Sequence, residues 1–186
     1  MMRLLLWLAG GVLLGGIIHI IVILTLPRLD EDTVWTRIAA IDAVDRVTIL
    51  PQIAPGEPNP LGLDPEVIYG VCQLDLAKGP GYISGVLPEA YWSVAIYNEA
   101  GVVTYSTTNR DGIGQTLEMG IFNAAQTRLL AQQQLDVAEG LLVVESDDDN
   151  IFALVRLLPP HQAMRARFAD VLAQTGCGNR ADQSGS

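Results

Sequence analysis

The sequence predicts an α+β chain: a single N-terminal transmembrane helix, then a mainly antiparallel, sandwich-like β domain with two or three helices. Three observations carry this. One apolar run, residues 4–26, holds the excess hydrophobicity of the chain. From residue 67 onward, short stretches rich in apolar and β-branched residues lie between turn residues. Those stretches are linked mostly as hairpins and do not alternate with helices, which disfavours a parallel doubly wound sheet.

The apolar run reads LLLWLAGGVLLGGIIHIIVILTL and carries no formal charge; its polar side chains are His19, Thr25 and the indole edge of Trp7. At about 1.5 Å per residue it is long enough for a hydrocarbon core of roughly 30 Å. A secretory signal has a shorter apolar region of about 7–15 residues and a small-x-small cleavage site. Here the run ends at Thr25, Leu26, Pro27 and Arg28, a poor match, so an uncleaved anchor is expected. No cysteine lies nearby to take a lipid. Arg3 and the free amine precede the run without an acid, whereas Arg28 is followed by Asp30, Glu31 and Asp32. The bases favour a cytoplasmic N-terminus. In a bacterium with two membranes this is an inner-membrane, single-pass protein with residues 27–186 in the periplasm.

Within the run, Gly11, Gly15 and His19 recur every four residues and share one helix face. Two small residues four apart let a second helix approach, and a polar ring in lipid seeks a partner. The plainer account keeps both glycines as ordinary membrane-helix residues. His19 would then be satisfied in its own helix groove or by a headgroup.

Residues 27–66 read as a juxtamembrane helix and a Pro-rich loop. Val34, Ile38 and Ile41 have helical spacing, with Asp30 or Asp32 as N-cap. Trp35 suits either the membrane surface or a packing site on the domain. Prolines 51, 55, 58, 60 and 65, with Gly56 and Gly62, make a loop. The β-rich domain spans 67–177. Strands are expected at 67–76, 82–87, 91–97 and 102–108, with a hairpin turn over 98–101. In 91–97, Trp92, Val94 and Ile96 share the core face, and Tyr91, Ser93 and Tyr97 the other. Leu117, Met119 and Ile121 alternate as a further strand. Asn123 and Gln126 form a capping box for a helix whose Leu129 and Leu130 face inward. Residues 140–145 and 151–158 are expected to pair as a hairpin around the acidic tip 147–150. A last helix starts near Pro160, with Met164, Phe168, Val171 and Leu172 as its stripe and Gly176 as C-cap. Residues 178–186 read as a flexible tail.

Charge narrows the function. There are 21 acids and 11 bases, a formal net charge of −10, so phosphate backbones are repelled and no nucleic-acid partner is expected. His161 is the sole histidine after the anchor, and no nucleophile elbow, phosphate loop or dinucleotide fingerprint occurs. The two cysteines lie 105 positions apart, without zinc-ligand spacing. Neither a metal nor another cofactor is expected, and turnover is less expected than binding. Cys72 and Cys177 both fall in the part assigned to an oxidising compartment, and a bridge is expected if the last helix packs back on the sheet. Two buried thiols are the alternative.

The stretch Tyr69, Gly70, Val71, Cys72, Gln73, Leu74, Asp75, Leu76, followed by Gly79-Pro80, residues 91–97 and Asn109-Arg110, resembles a bacterial envelope family. In words it is the domain of unknown function twelve fifty-four, often accompanied by a sister domain, twelve fourteen. The short membrane-anchored version has a glycine- and histidine-bearing helix like residues 10–19 and a late cysteine like Cys177. The resemblance implies a membrane-anchored β-rich domain and supplies no activity. Two functions follow as expectations. One is association in the envelope with a second copy or a sister-domain protein. The other is ligand binding or catalysis near Tyr91, Tyr97, Asn109 and Arg110. Arg110 is the lone base of residues 79–127, available to an anion or to an ion pair with Asp111 or Glu99.

Overall fold

A computed structural model of the chain describes residues 2–29, 34–110, 115–133 and 140–180. The apolar run forms helix α1 (Met2–Leu29), of which Met2–Leu26 is apolar and long enough to cross a bilayer. None of that span is buried against the rest of the protein. The Thr25 hydroxyl donates to the Ile21 carbonyl at 2.8 Å, so it is satisfied within the helix groove. Helix α2 (Val34–Ala39) follows. Its expected caps, Asp30 and Asp32, lie outside the described residues.

Nine strands form two sheets among the described residues. They are β1 (Thr48–Ile49), β2 (Ile68–Asp75), β3 (Gly81–Val86), β4 (Tyr91–Asn98), β5 (Val103–Thr108), β6 (Thr116–Asn123), β7 (Leu142–Ser146), β8 (Asn150–Leu158) and β9 (Gly176–Asn179). The first sheet, β1-β2-β8-β4-β5, is wholly antiparallel. The second runs β7-β6-β3-β9, with β6 and β7 parallel. Side chains alternate as the period-two rule requires. Ile68, Cys72, Leu74, Trp92, Val94, Ile96, Ile151, Val155 and Leu157 of the first sheet meet Ile83, Leu117, Met119, Ile121 and Val144 of the second. This is the main core.

The alternation of residues 91–97 holds as expected, and so does the 98–101 turn. There the Asn98 side chain accepts from the Val102 amide at 2.9 Å and Gly101 sits at φ +74°. Helix α3 (Ala124–Gln133) starts with the expected capping box. The Gln126 amide donates to Asn123 Oδ1 at 3.0 Å and the Asn123 amide to Gln126 Oε1 at 2.9 Å. Helix α4 (Arg165–Ala173) lays Phe168 and Leu172 into the core. Leu172 packs over Gly70, where a Cβ would stand 3.2 Å from it and 2.9 Å from Val47.

Several expectations are corrected. The stretches 140–145 and 151–158 do not pair: β7 lies in the second sheet and β8 at the centre of the first. The acidic link is a corner between sheets, tightened by the Ser146 hydroxyl, which donates to the Asp148 carbonyl at 2.9 Å. Leu129 is exposed rather than inward, because α3 is held by its first turn, where Gln126 Nε2 donates to the Leu76 carbonyl at 2.7 Å. Gly176 is no C-cap; Gln174 takes that place and Gly176 opens β9. Gly178 and Asn179 therefore belong to a strand, and of the expected tail 181–186 lies outside the described residues. Trp35 packs on Phe152, ring centroids 6.1 Å apart, so its place is on the domain.

Cys72 points from β2 into the core and Cys177 lies in β9, opposite Ile83. Their Cα atoms are 6.5 Å apart and the two are bridged. The disulfide therefore ties one sheet to the other.

Candidate functional site

The outer face of the first sheet is covered over β2 and β8. In β2, residues Tyr69, Val71 and Gln73 point away from the main core, and in β8 so do Phe152, Leu154 and Arg156. A second apolar cluster covers them, built from Ile38 of α2, Ala43, Leu50, Leu61 and Leu63. Gln73 anchors this cover, its Nε2 donating to the Ile38 carbonyl at 2.6 Å and its amide to the Ala43 carbonyl at 2.7 Å. Arg165 of α4 holds the far end of the loop through the carbonyls of Pro65, Glu66 and Val67 at 3.1–3.3 Å.

The cover is incomplete. Between α2, Leu61–Asp64 and the sheet lies a cleft of about 410 Å³. Its floor is aromatic: the Tyr97 and Phe152 rings stack with centroids 4.8 Å apart and planes 2° from parallel. Its wall is aliphatic, from Val34, Leu61, Leu63 and Leu154. Two polar groups reach it from the sheet. The Tyr69 hydroxyl accepts from the Asp64 amide at 2.9 Å. Arg156, half-buried between Tyr69 and Ser93 in register, donates from Nη2 to the Tyr97 hydroxyl at 2.7 Å. Arg156 has no carboxylate partner among the described residues. A few convergent polar groups in an apolar cleft are the ordinary make-up of a small-molecule site.

The four residues expected to line a site are split: Tyr91, Asn109 and Arg110 fall at one end of β4 and Tyr97 at the other. Tyr91 and Tyr97 stand at opposite ends of β4, about 20 Å apart at strand rise. Asn109 closes the Tyr91 end. Its amide donates to the Trp92 carbonyl at 3.1 Å and its Nδ2 to the Ala90 carbonyl at 3.2 Å. Pairing of Ser93 with Thr108 sets Tyr91 level with Arg110, which is exposed. Glu99 accepts from Asn150 Nδ2 at 2.6 Å; Asp111 lies outside the described residues. Of the four, Tyr97 alone lines the cleft. Phe152, Leu154 and Arg156 were missed, although their alternation with Ile151, Ala153, Val155 and Leu157 is legible, and an Arg in so apolar a strand is the signal to follow. Among the described residues no three His, Cys, Asp or Glu side chains gather as a metal site.

On α1, Gly11, Gly15 and His19 lie along one face, as helical spacing requires. A Cβ at Gly11 or Gly15 would meet nothing within 4 Å. No described residue covers that face.

No protein-family model and no curated protein matches the chain. Among solved structures, it is similar to the VPA0106 protein of Vibrio parahaemolyticus, at TM-score 0.51 and 13% identity over 63% of this chain. A second, an uncharacterized protein from Burkholderia cenocepacia, reaches TM-score 0.43 and 14% identity over 66%. The alignments cover only 28% and 32% of those longer chains. The first likeness is one of fold: a sandwich of this kind recurs inside a larger protein.

Proposed function

We propose that the chain is an uncleaved, single-pass protein of the inner membrane. Its N-terminus lies in the cytoplasm and its sandwich in the periplasm, and it works by association in the envelope rather than by turnover. The carrying observation is the contrast between its two parts. Met2–Leu26 is apolar and nowhere buried, while the sandwich closes its own core and ties its sheets with a disulfide. A helix with no place in the core has lipid as its remaining apolar surroundings. A disulfide across the core belongs in an oxidising compartment. The open face of Gly11, Gly15 and His19 is the contact surface, and His19 has no hydrogen-bond partner among the described residues. The partner is a second copy or a sister-domain envelope protein, in keeping with the family the sequence resembles.

Alkaline phosphatase fused after Ser186 is expected to be active; an inactive fusion reverses the orientation. Intact mass of the membrane-bound protein is expected to include residues 1–26, and a shortened chain makes the helix a signal sequence. Gly11→Ile, Gly15→Ile and His19→Leu should each weaken cross-linking in membranes while insertion persists. A monomer without partner, matched by the triple variant, reduces the helix to a tether.

A further inference from the structure

We propose that the cleft between α2, Leu61–Asp64 and the first sheet binds an anionic single-chain amphiphile. The acid group sits on Arg156 and the chain lies against Phe152, Leu154 and Leu61. The head follows from the guanidinium. Arg156 is half-buried, and its one bond to a side chain goes to a neutral phenol oxygen. Its planar fork fits a carboxylate, sulfate or phosphate, and beside an apolar cleft a charge-assisted bond to such a group is stronger than one to a neutral phenol. Asp64 is the acid that lines the cleft, yet its side chain is exposed and accepts from the Glu66 amide at 2.8 Å. The tail follows from the walls. They are aliphatic on the loop side and aromatic on the sheet side, and about 410 Å³ lies within the range of ligand sites.

Position supports the same occupant. Helix α1 ends at Leu29 and Val34 already lines the cleft. Five residue steps reach at most about 18 Å, so a bilayer holding α1 lies within an acyl chain's length or so of the cleft. The Tyr97 hydroxyl fixes the guanidinium at the edge of the stacked pair. This inference rests on the membrane tether and not on any partner of α1.

The test uses the full chain in phosphatidylcholine nanodiscs with a dodecanoate probe bearing a terminal diazirine, followed by peptide mapping. Adducts are expected on residues 34–39, 50–64 and 152–156. Dodecanoate should compete at least tenfold better than dodecanol or dodecyltrimethylammonium. Arg156→Gln should lower cleft labelling at least tenfold, with α1 labelling and melting temperature kept, and Arg156→Lys should retain part. Leu61→Trp, which fills the cleft and leaves Arg156 in place, should block labelling even if Arg156→Gln fails to fold. A diazirine phosphatidylglycerol in the disc tells the source. Its adducts in the cleft mean a ligand drawn from the bilayer, and labelling by the free acid alone means an aqueous one; either upholds the site. Adducts confined to α1, equal competition by dodecanol, or indifference to both Arg156→Gln and Leu61→Trp overturn it. A monomeric α1 overturns the association reading and leaves these results unchanged.

Discussion

Arg165 shows how a single side chain holds a loop that has no regular structure of its own. Three carbonyls, of Pro65, Glu66 and Val67, accept from one guanidinium, and that cation sits on the helix that caps the core. Charge-assisted bonds of this kind are worth about 1.5–3 kcal/mol together with the desolvation they relieve. Arg165→Met should destabilise by about 1–3 kcal/mol and open the 50–66 loop to protease first, and Arg165→Lys should restore part. A protease pattern identical to wild type would show that the loop holds itself. Gly70 is the second residue-scale case. A methyl there meets Val47 and Leu172 at 2.9 and 3.2 Å, inside ordinary contact. Gly70→Ala should cost about 1–3 kcal/mol by overpacking, read by chemical denaturation. Leu172→Val, by making room, should lessen that extra cost when combined with it.

At the scale of elements, α3 depends on its first turn. The reciprocal bonds of Asn123 and Gln126 satisfy two amides at once, and Asn123 Nδ2 also donates to Asp149 at 2.8 Å. Asn123→Ala should destabilise by about 1–2 kcal/mol, and Asn123→Ser, which keeps an acceptor, by less. Amide exchange across 124–133 is the direct readout, since Leu129 is exposed and contributes little to the anchoring. This box was legible because capping is local: the atoms that satisfy each other are three residues apart. The pairing of 140–145 with 151–158 was not. Both stretches had the composition of strands, but the three-residue acidic link, Asp147 to Asp149, serves a hairpin and a sheet-to-sheet corner equally well. Which of the two forms is decided by β6, which takes β7 as a parallel neighbour, and by β2 and β4, which enclose β8.

At the scale of the molecule, the Cys72–Cys177 bridge joins two sheets that otherwise meet through apolar packing, connecting loops and polar contacts such as that of Asn179 Nδ2, which donates to the Asp75 carbonyl at 3.0 Å. Closing a loop of 105 residues limits the unfolded chain by up to about 4–5 kcal/mol in the chain-entropy account. Denatured, unreduced protein should show no free thiol. The Cys72→Ala/Cys177→Ala pair should melt well below wild type, with the loss confined to the β domain. Two titratable thiols, or an unchanged melt, would remove the bridge from the stability of the fold. With the bridge reduced, β9 is the element expected to detach first, since it is an edge strand paired with β3 alone.

The sequence by itself determined the long apolar N-terminal helix, the order of most elements and the inward faces of the strands. Each of these is written in short-range pattern: an uncharged run of 23 residues, apolar but for His19 and Thr25, or side chains alternating by two, as in Trp92, Val94 and Ile96. It also contained both cysteines, and a bridge followed only on the condition that α4 packed back on the sheet. Tertiary structure alone decided which sheet each strand joins, and with that the cleft. Tyr69, Tyr97 and Arg156 come from three strands far apart in the chain and meet because β8 lies between β2 and β4. Tyr91 and Tyr97 share a face of one strand, yet strand rise keeps them apart. Contact across a sheet depends on register, which no local pattern records.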